Sequence, residues 1–140
     1  MKTTELMLGD YVRFSPTSPD YKKFGDKPFR VSTINSDGAL ALTMDNSSYW
    51  VDAEDIEPIP ITKELLLNNN FRVSYFGCYV YESEDDSFDL DNHVSVFPGN
   101  WVCGINPNKT QRIISYAEIT YLHELQHLLN MCNIKIDWKL

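Results

Sequence analysis

The sequence predicts an α+β protein, with β structure first and a helix near the end. Three observations carry this. Short strand-like segments separated by turn signals fill residues 1–60, and further alternating segments with Pro-Gly-Asn and Asn-Pro-Asn-Lys turns run from about 71 to 116. A segment with apolar residues at helical spacing then covers about 121–131.

In the first part, Tyr11-Val12-Arg13-Phe14 follows Gly9-Asp10 as a short strand. The stretch SPTSPDYKKFGDKP is rich in Pro, Ser and Gly and reads as a long loop. Phe29–Ile34 alternates as a strand, Ser36-Asp37-Gly38 is a hairpin signal, and Ala39–Met44 returns as its partner. Tyr49-Trp50-Val51 is a fourth strand, and residues 51–56 lead out of it. Short strands, one long first loop and tight later turns predict a small SH3-like β-barrel over residues 1–60.

Glu57-Pro58-Ile59-Pro60 reads as a stiff extended connector. Residues 61–140 form the second predicted domain, and the two are short enough to pack as one unit. Thr62 caps a short helix from Lys63 to about Asn69, with Leu65, Leu66 and Leu67 as its apolar face. Phe71–Tyr81 alternates as one strand, with Phe71, Val73, Tyr75, Tyr79 and Tyr81 on one face and Gly77 at a bulge or turn. His93–Phe97, Trp101–Ile105 and Gln111–Tyr116 continue an antiparallel meander, a helix covers Tyr121–Met131, and Ile134–Trp138 reads as a closing strand.

Composition bounds the function. The chain has 140 residues, 43% of them apolar, enough to bury a core, and a formal net charge of −8. That charge repels phosphate backbones and anionic membrane surfaces, so direct nucleic-acid binding and membrane association are disfavoured. An acidic surface that imitates DNA is the exception. The acid concentrates in ESEDDSFDLD, where Glu82, Glu84, Asp85, Asp86, Asp89 and Asp91 are candidate partner-binding residues. The tract lacks the Gly and Glu that a calcium-binding EF-hand loop needs. Cys78, Cys103 and Cys132 are odd in number and lack a Cys-x-x-Cys pair, which fits reduced thiols in a cytoplasmic protein. Neither a signal-peptide core nor an apolar run of about 18 residues is present.

One motif carries potential chemistry. His123-Glu124-Leu125-Gln126-His127 is His-Glu-x-x-His. On a helix, His123 and His127 sit one turn apart and can share a Zn²⁺, while Glu124 could take a proton from a bound water. Against this, only 13 residues follow His127, and they contain neither His nor Glu to act as a third ligand. The helical faces point the same way. Leu122, Leu125, Leu128, Leu129 and Cys132 form the buried stripe, whereas His123, His127 and Asn130 lie on nearly the opposite side and look at solvent. Asp91, His93 and Ser95 alternate on a strand without a nucleophile elbow, and no Gly-rich phosphate loop occurs. Tyr75, Tyr79, Tyr81 and Trp101 read as a packed sheet face rather than a stacking platform.

Leu8-Gly9-Asp10-Tyr11-Val12, the run from Glu54 to Thr62 (EDIEPIPIT) and Tyr121-Leu122-His123-Glu124-Leu125-Gln126 carry a resemblance. The chain resembles a family of small uncharacterised proteins from prophage and mobile-element regions of Bacteroidetes-type gut bacteria. The resemblance spans nearly the whole chain and implies the same order of elements, with no assigned activity. It also implies that Glu124 and His127 are dispensable and that His123, Leu125 and Gln126 have a structural role. The reading that results is a non-enzymatic accessory protein of phage or mobile-element type, without a cofactor, that binds another protein. The alternatives are a zinc-dependent hydrolase using residues 123–127 and an acidic DNA-mimic inhibitor.

Overall fold

The computed structural model describes residues 1–73, 77–81, 93–97, 102–106, 115–131 and 134–140. The chain is α+β, with two five-stranded antiparallel sheets and a C-terminal helix. It divides into two compact units. The first comprises Met1–Pro60 with Tyr121–His123, and the second Ile61–Thr120 with Glu124–Leu140. No helix among the described residues is long and apolar enough to cross a membrane.

In the first unit the strands are β1 (Tyr11–Phe14), β2 (Phe29–Ile34), β3 (Ala39–Met44), β4 (Ser47–Asp52) and β5 (Ile56–Pro58), in the order β4-β3-β2-β1-β5. The sheet has two edges, β4 and β5, and is not a closed barrel. Strand β5 has only three residues and ends on Pro58, so it offers too few donors to close a ladder with six-residue β4. Part of the expected Glu57–Pro60 connector is therefore sheet, with Arg13 opposite Glu57 and Val12 opposite Pro58. β4 is also longer than expected, because a two-residue turn at Asp45–Asn46 turns the chain directly from β3. Asp45 takes the left-handed conformation there, with φ +53°.

The inward side chains follow the pleat. Val12, Phe14, Phe29, Val31, Leu40, Leu42, Val51 and Ile56 are all buried in one cluster. The stretch expected to be a plain loop holds a short helix, α1 (Tyr21–Phe24), which delivers Phe24 into this cluster. The Phe24 ring stacks on Phe14 at 5.3 Å and meets Phe29 and Tyr49 edge-on at 5.1 and 5.0 Å. Polar contacts hold the same loop from outside. Arg13 Nε donates to Glu57 Oε1 at 2.7 Å, Arg13 Nη1 lies 3.5 Å from Asp26, and the Tyr21 hydroxyl donates to Asp26 at 3.1 Å. The hydrogen bond to Asp26, helped by partial burial and the carboxylate charge, raises the Tyr21 phenol above its ordinary value of 10.0.

The turn before β1 explains Leu8-Gly9-Asp10. The Asp10 N–H donates to Met7 O at 3.2 Å, and the buried Asp10 carboxylate accepts the Met7 N–H at 2.7 Å. Gly9 has φ +94°, and a Cβ there would come within 3.3 Å of the Arg30 guanidinium, so the position calls for glycine.

In the second unit, α2 (Lys63–Asn68) starts at Thr62, whose Oγ1 accepts the Leu65 N–H at 3.1 Å, as the sequence predicts. Strands β6 (Phe71–Val73), β7 (Tyr79–Tyr81), β8 (His93–Phe97), β9 (Val102–Asn106) and β10 (Ser115–Glu118) form a meander in sequential order. The single strand expected over Phe71–Tyr81 is instead a hairpin, with Phe71 opposite Tyr81 and Val73 opposite Tyr79. Alternation continues through a hairpin because directly opposed residues share a face. Phe71 and Tyr79 are buried and Tyr81 packs on Phe71, so these aromatics line a core rather than an open platform. Tyr75 and Trp101 lie outside the described residues. β10 runs two residues past the expected end at Tyr116, its register set by Ser115 opposite Ile105 and Glu118 opposite Val102, and residues 111–114 of the expected strand lie outside the described residues.

Helix α3 (Leu122–Met131) buries Leu125 and Leu129 against Ile61, Leu66, Phe71, Tyr79, Val94, Val96 and Ile119. The closing strand expected at Ile134–Trp138 does not form a ladder. Its alternation is real: Ile134, Ile136 and Trp138 are half-buried against the core, and Lys135 and Asp137 are exposed. Extended backbone with an apolar face becomes a strand only where a sheet edge meets it. Here buried Asn69 does that work, accepting the Lys139 N–H at 2.6 Å and donating to Lys139 O at 3.1 Å and Leu65 O at 2.7 Å.

Candidate functional site

The His-Glu-x-x-His segment does lie on a helix, but its side chains are not arranged as the sequence suggests. His123 is only 4% exposed and Gln126 is 8% exposed, so the expected solvent face of the first turn is largely enclosed. Helical spacing tells which residues share a side, not how many sides are covered. The residues that enter the first turn pair with the Ile59–Pro60 segment. Tyr121 bridges to Pro60, the Leu122 N–H donates to Ile59 O at 2.8 Å, and the Tyr121 ring stacks on the His123 imidazole at 5.9 Å. His127 is half-buried and Asn130 is exposed.

Glu124 is held in a structural contact. Its Oε2 accepts the Thr120 N–H at 2.6 Å. This is a carboxylate in the first turn of α3 reaching back to a backbone donor before the helix, where the helix dipole also favours negative charge. A carboxylate so placed caps the helix, and a general base must instead be free to approach bound water. Among the described residues, no three His, Cys, Asp or Glu side chains converge as a metal site. Glu124→Ala is therefore expected to lower stability by about 1 kcal/mol through the lost cap. A lower denaturant midpoint with unchanged zinc content would bear this out, and an unchanged midpoint would refute it.

The other sequence candidates fall apart in space or out of view. Glu82, Glu84, Asp85, Asp86, Asp89 and Asp91 lie outside the described residues, as does Cys132. Cys78 is buried and forms no disulfide among the described residues.

A different feature stands out on the first unit. Along β4, Ser48, Trp50 and Asp52 are exposed while Val51 is buried and Tyr49 half-buried. The Trp50 side chain is therefore on the outward face, 63% exposed, next to the open edge of the sheet. A large indole in water leaves apolar area unburied, an expense that a partner surface can recover. Exposed Asp45 and Asn46 precede the strand, and exposed Asp52 and Glu54 end it. The expected fourth strand, Tyr49-Trp50-Val51, carries no assignment of Trp50 to a face. The signal was available: once the strand is taken as Ser47–Asp52, Trp50 falls in phase with Ser48 and Asp52 and out of phase with Tyr49 and Val51.

The chain matches no known family model, no curated protein and no solved structure.

Proposed function

We propose that this chain is a non-enzymatic accessory protein of phage or mobile-element type that binds another protein through its first unit. The observation that carries the reading is Trp50, an exposed indole on the outward face of an edge strand. Tryptophan is enriched at the centres of protein interfaces, where its large ring is desolvated by a partner. The first unit is read as an SH3-like module that is open rather than closed. Supporting this are the order β5-β1-β2-β3-β4, the long β1–β2 connection and the short 3-10 turn at Ala53–Asp55 between β4 and β5. The competing zinc-hydrolase reading is weakened by the capping role of Glu124 and the burial of His123.

The test is capture from a lysate of a Bacteroidetes-type bacterium by the intact protein and by Trp50→Ala. Trp50 is exposed, so its replacement should leave the melting temperature nearly unchanged. The expected result is a specific protein retained by the native chain and weakened about tenfold or more by Trp50→Ala. Equal retention by both chains, or no retained protein at any salt concentration, would overturn the reading.

A further inference from the structure

We infer that β4 is a strand-accepting edge, and that its partner is an extended segment with basic residues flanking an apolar centre. This rests on the protein-binding reading and specifies the mode and the partner's chemistry.

Sheet edges are hazards, which proteins usually blunt with short strands, proline, lysine or bulges. The described sheets have four edges: β4, β5, β6 and β10. Over the described residues, β5 has three residues and ends in Pro58, β6 has three residues and contains Arg72, and β10 has four. β4 has six, SSYWVD, with no proline and no lysine, and it pairs with β3 without a bulge along its whole length. It is the edge best suited to take another strand.

The backbone geometry identifies the groups on offer. Ser32 Oγ donates to Ala41 O at 3.0 Å, and the Asn35 N–H donates to Ala39 O at 2.9 Å. The β3 residues Ala39 and Ala41 thus direct their carbonyls towards β2. Their β4 partners, Asp52 and Trp50, are then the non-hydrogen-bonded pairs of the β3–β4 ladder. By the same alternation, Ser48, Trp50 and Asp52 direct their own N–H and C=O groups to the open edge. An incoming strand would therefore pair with the backbone of the very residues whose side chains form the exposed outward row.

The charges choose the partner. Exposed Asp45 lies at one end of β4, with Asp52 and Glu54 at the other. Lys23 approaches the strand from its inward side, with Nζ 5.7 Å from the Tyr49 ring centre, and the N-terminal ammonium donates to Ala53 O at 3.3 Å. The outward row itself carries Asp52 and no cation. Its carboxylates disfavour a second copy of the same edge, since antiparallel self-pairing would oppose like charges at both ends, and they favour a segment with Lys or Arg at its ends. Trp50 then contacts an apolar or β-branched residue on the added strand.

The probe is a ten-residue synthetic peptide of alternating valine and threonine with two lysines at each end. Its control carries glutamates in place of the lysines. Amide hydrogen exchange is followed on the full chain. The expected result is slowed exchange at Ser48, Trp50 and Asp52 with the lysine peptide, and binding at least about tenfold weaker for the glutamate peptide. Ser48→Pro, which removes one edge donor, should abolish the protection. Asp52→Lys with Glu54→Lys keeps the exposed surface foldable and should reverse the peptide preference. No protection of β4 by the lysine peptide would overturn the inference. So would protection that grows with protein concentration alone, which would mark β4 as a self-association edge. A lysate partner lost with Trp50→Ala but held equally by Ser48→Pro would leave protein binding standing and remove strand addition.

Discussion

Phe24→Ala is expected to lower the stability of the first unit by about 3–5 kcal/mol, the range for emptying an aromatic site in a packed core. Phe24 is 7% exposed and its ring contacts Phe14, Phe29 and Tyr49. Truncation removes both the buried area and the edge-to-face contacts, and the surrounding strands cannot collapse to fill the space. A second effect follows from the position of Phe24 in the β1–β2 connection. Without its anchor, that connection keeps the partial packing of Tyr21, the Ser15 N–H to Asp55 O bond and polar ties such as Arg13–Asp26 and Tyr21–Asp26, the last of which stabilise little in water. Denaturant unfolding would report the loss, and proteolysis within residues 15–28 should become fast relative to the native chain. A loss under about 1 kcal/mol would mean that the loop helix is not part of the core.

The second large effect belongs to Asn69. This side chain is 2% exposed and forms three hydrogen bonds, two of them to Lys139, which lies 70 residues away in sequence. Asn69→Ala should cost about 1–3 kcal/mol, because the three hydrogen bonds made by a buried side chain, two of them tying down Lys139, are lost together. Asn69→Asp should cost more. It replaces the amide donor with a carboxylate oxygen facing the carbonyls of Leu65 and Lys139, and it buries a charge. The local consequence is release of the tail, with Ile134, Ile136 and Trp138 leaving the core and the stacking of Trp138 on Phe71 at 6.4 Å lost. Rapid exchange of the Lys139 amide and a red-shifted tryptophan emission in both variants would show this. An Asp variant as stable as the native chain would refute the clamp.

The competing sites are separable by simple measurements. A hydrolase built on His123, Glu124 and His127 requires about one zinc per chain, lost on replacing the two histidines. A capping Glu124 and a buried His123 require only a fall in stability on substitution, with no dependence on zinc. DNA mimicry by Glu82, Glu84, Asp85, Asp86, Asp89 and Asp91 requires competition with DNA for a DNA-binding protein, lost when those carboxylates become amides.

What could be read from the sequence follows physical range. The hairpin at Ser36-Asp37-Gly38, the Thr62 cap, the strand at His93–Phe97 and the terminal helix all rest on neighbours a few residues apart, and all are found. The exposed Trp50 was also legible in principle, because a period of two decides the face of each β4 residue once the strand's start is known. The start depended on a two-residue turn with Asp45 at positive φ, which Asp-Asn signals less strongly than Asp-Gly.

By itself, the sequence determined the class of the fold, most of its local elements and the acidic character that shapes any partner. Only the tertiary structure decided which of those elements meet. It brought Phe24 from a polar loop into an aromatic core, enclosed His123 on what helical spacing makes an outer face, and turned Glu124 from a candidate base into a helix cap. It also held an alternating tail by one asparagine where alternation alone implies a strand. The physical reason is common to all four. Periodicity records the preference of a side chain for water or for apolar surroundings, whereas burial, capping and pairing depend on groups that arrive from elsewhere in the chain.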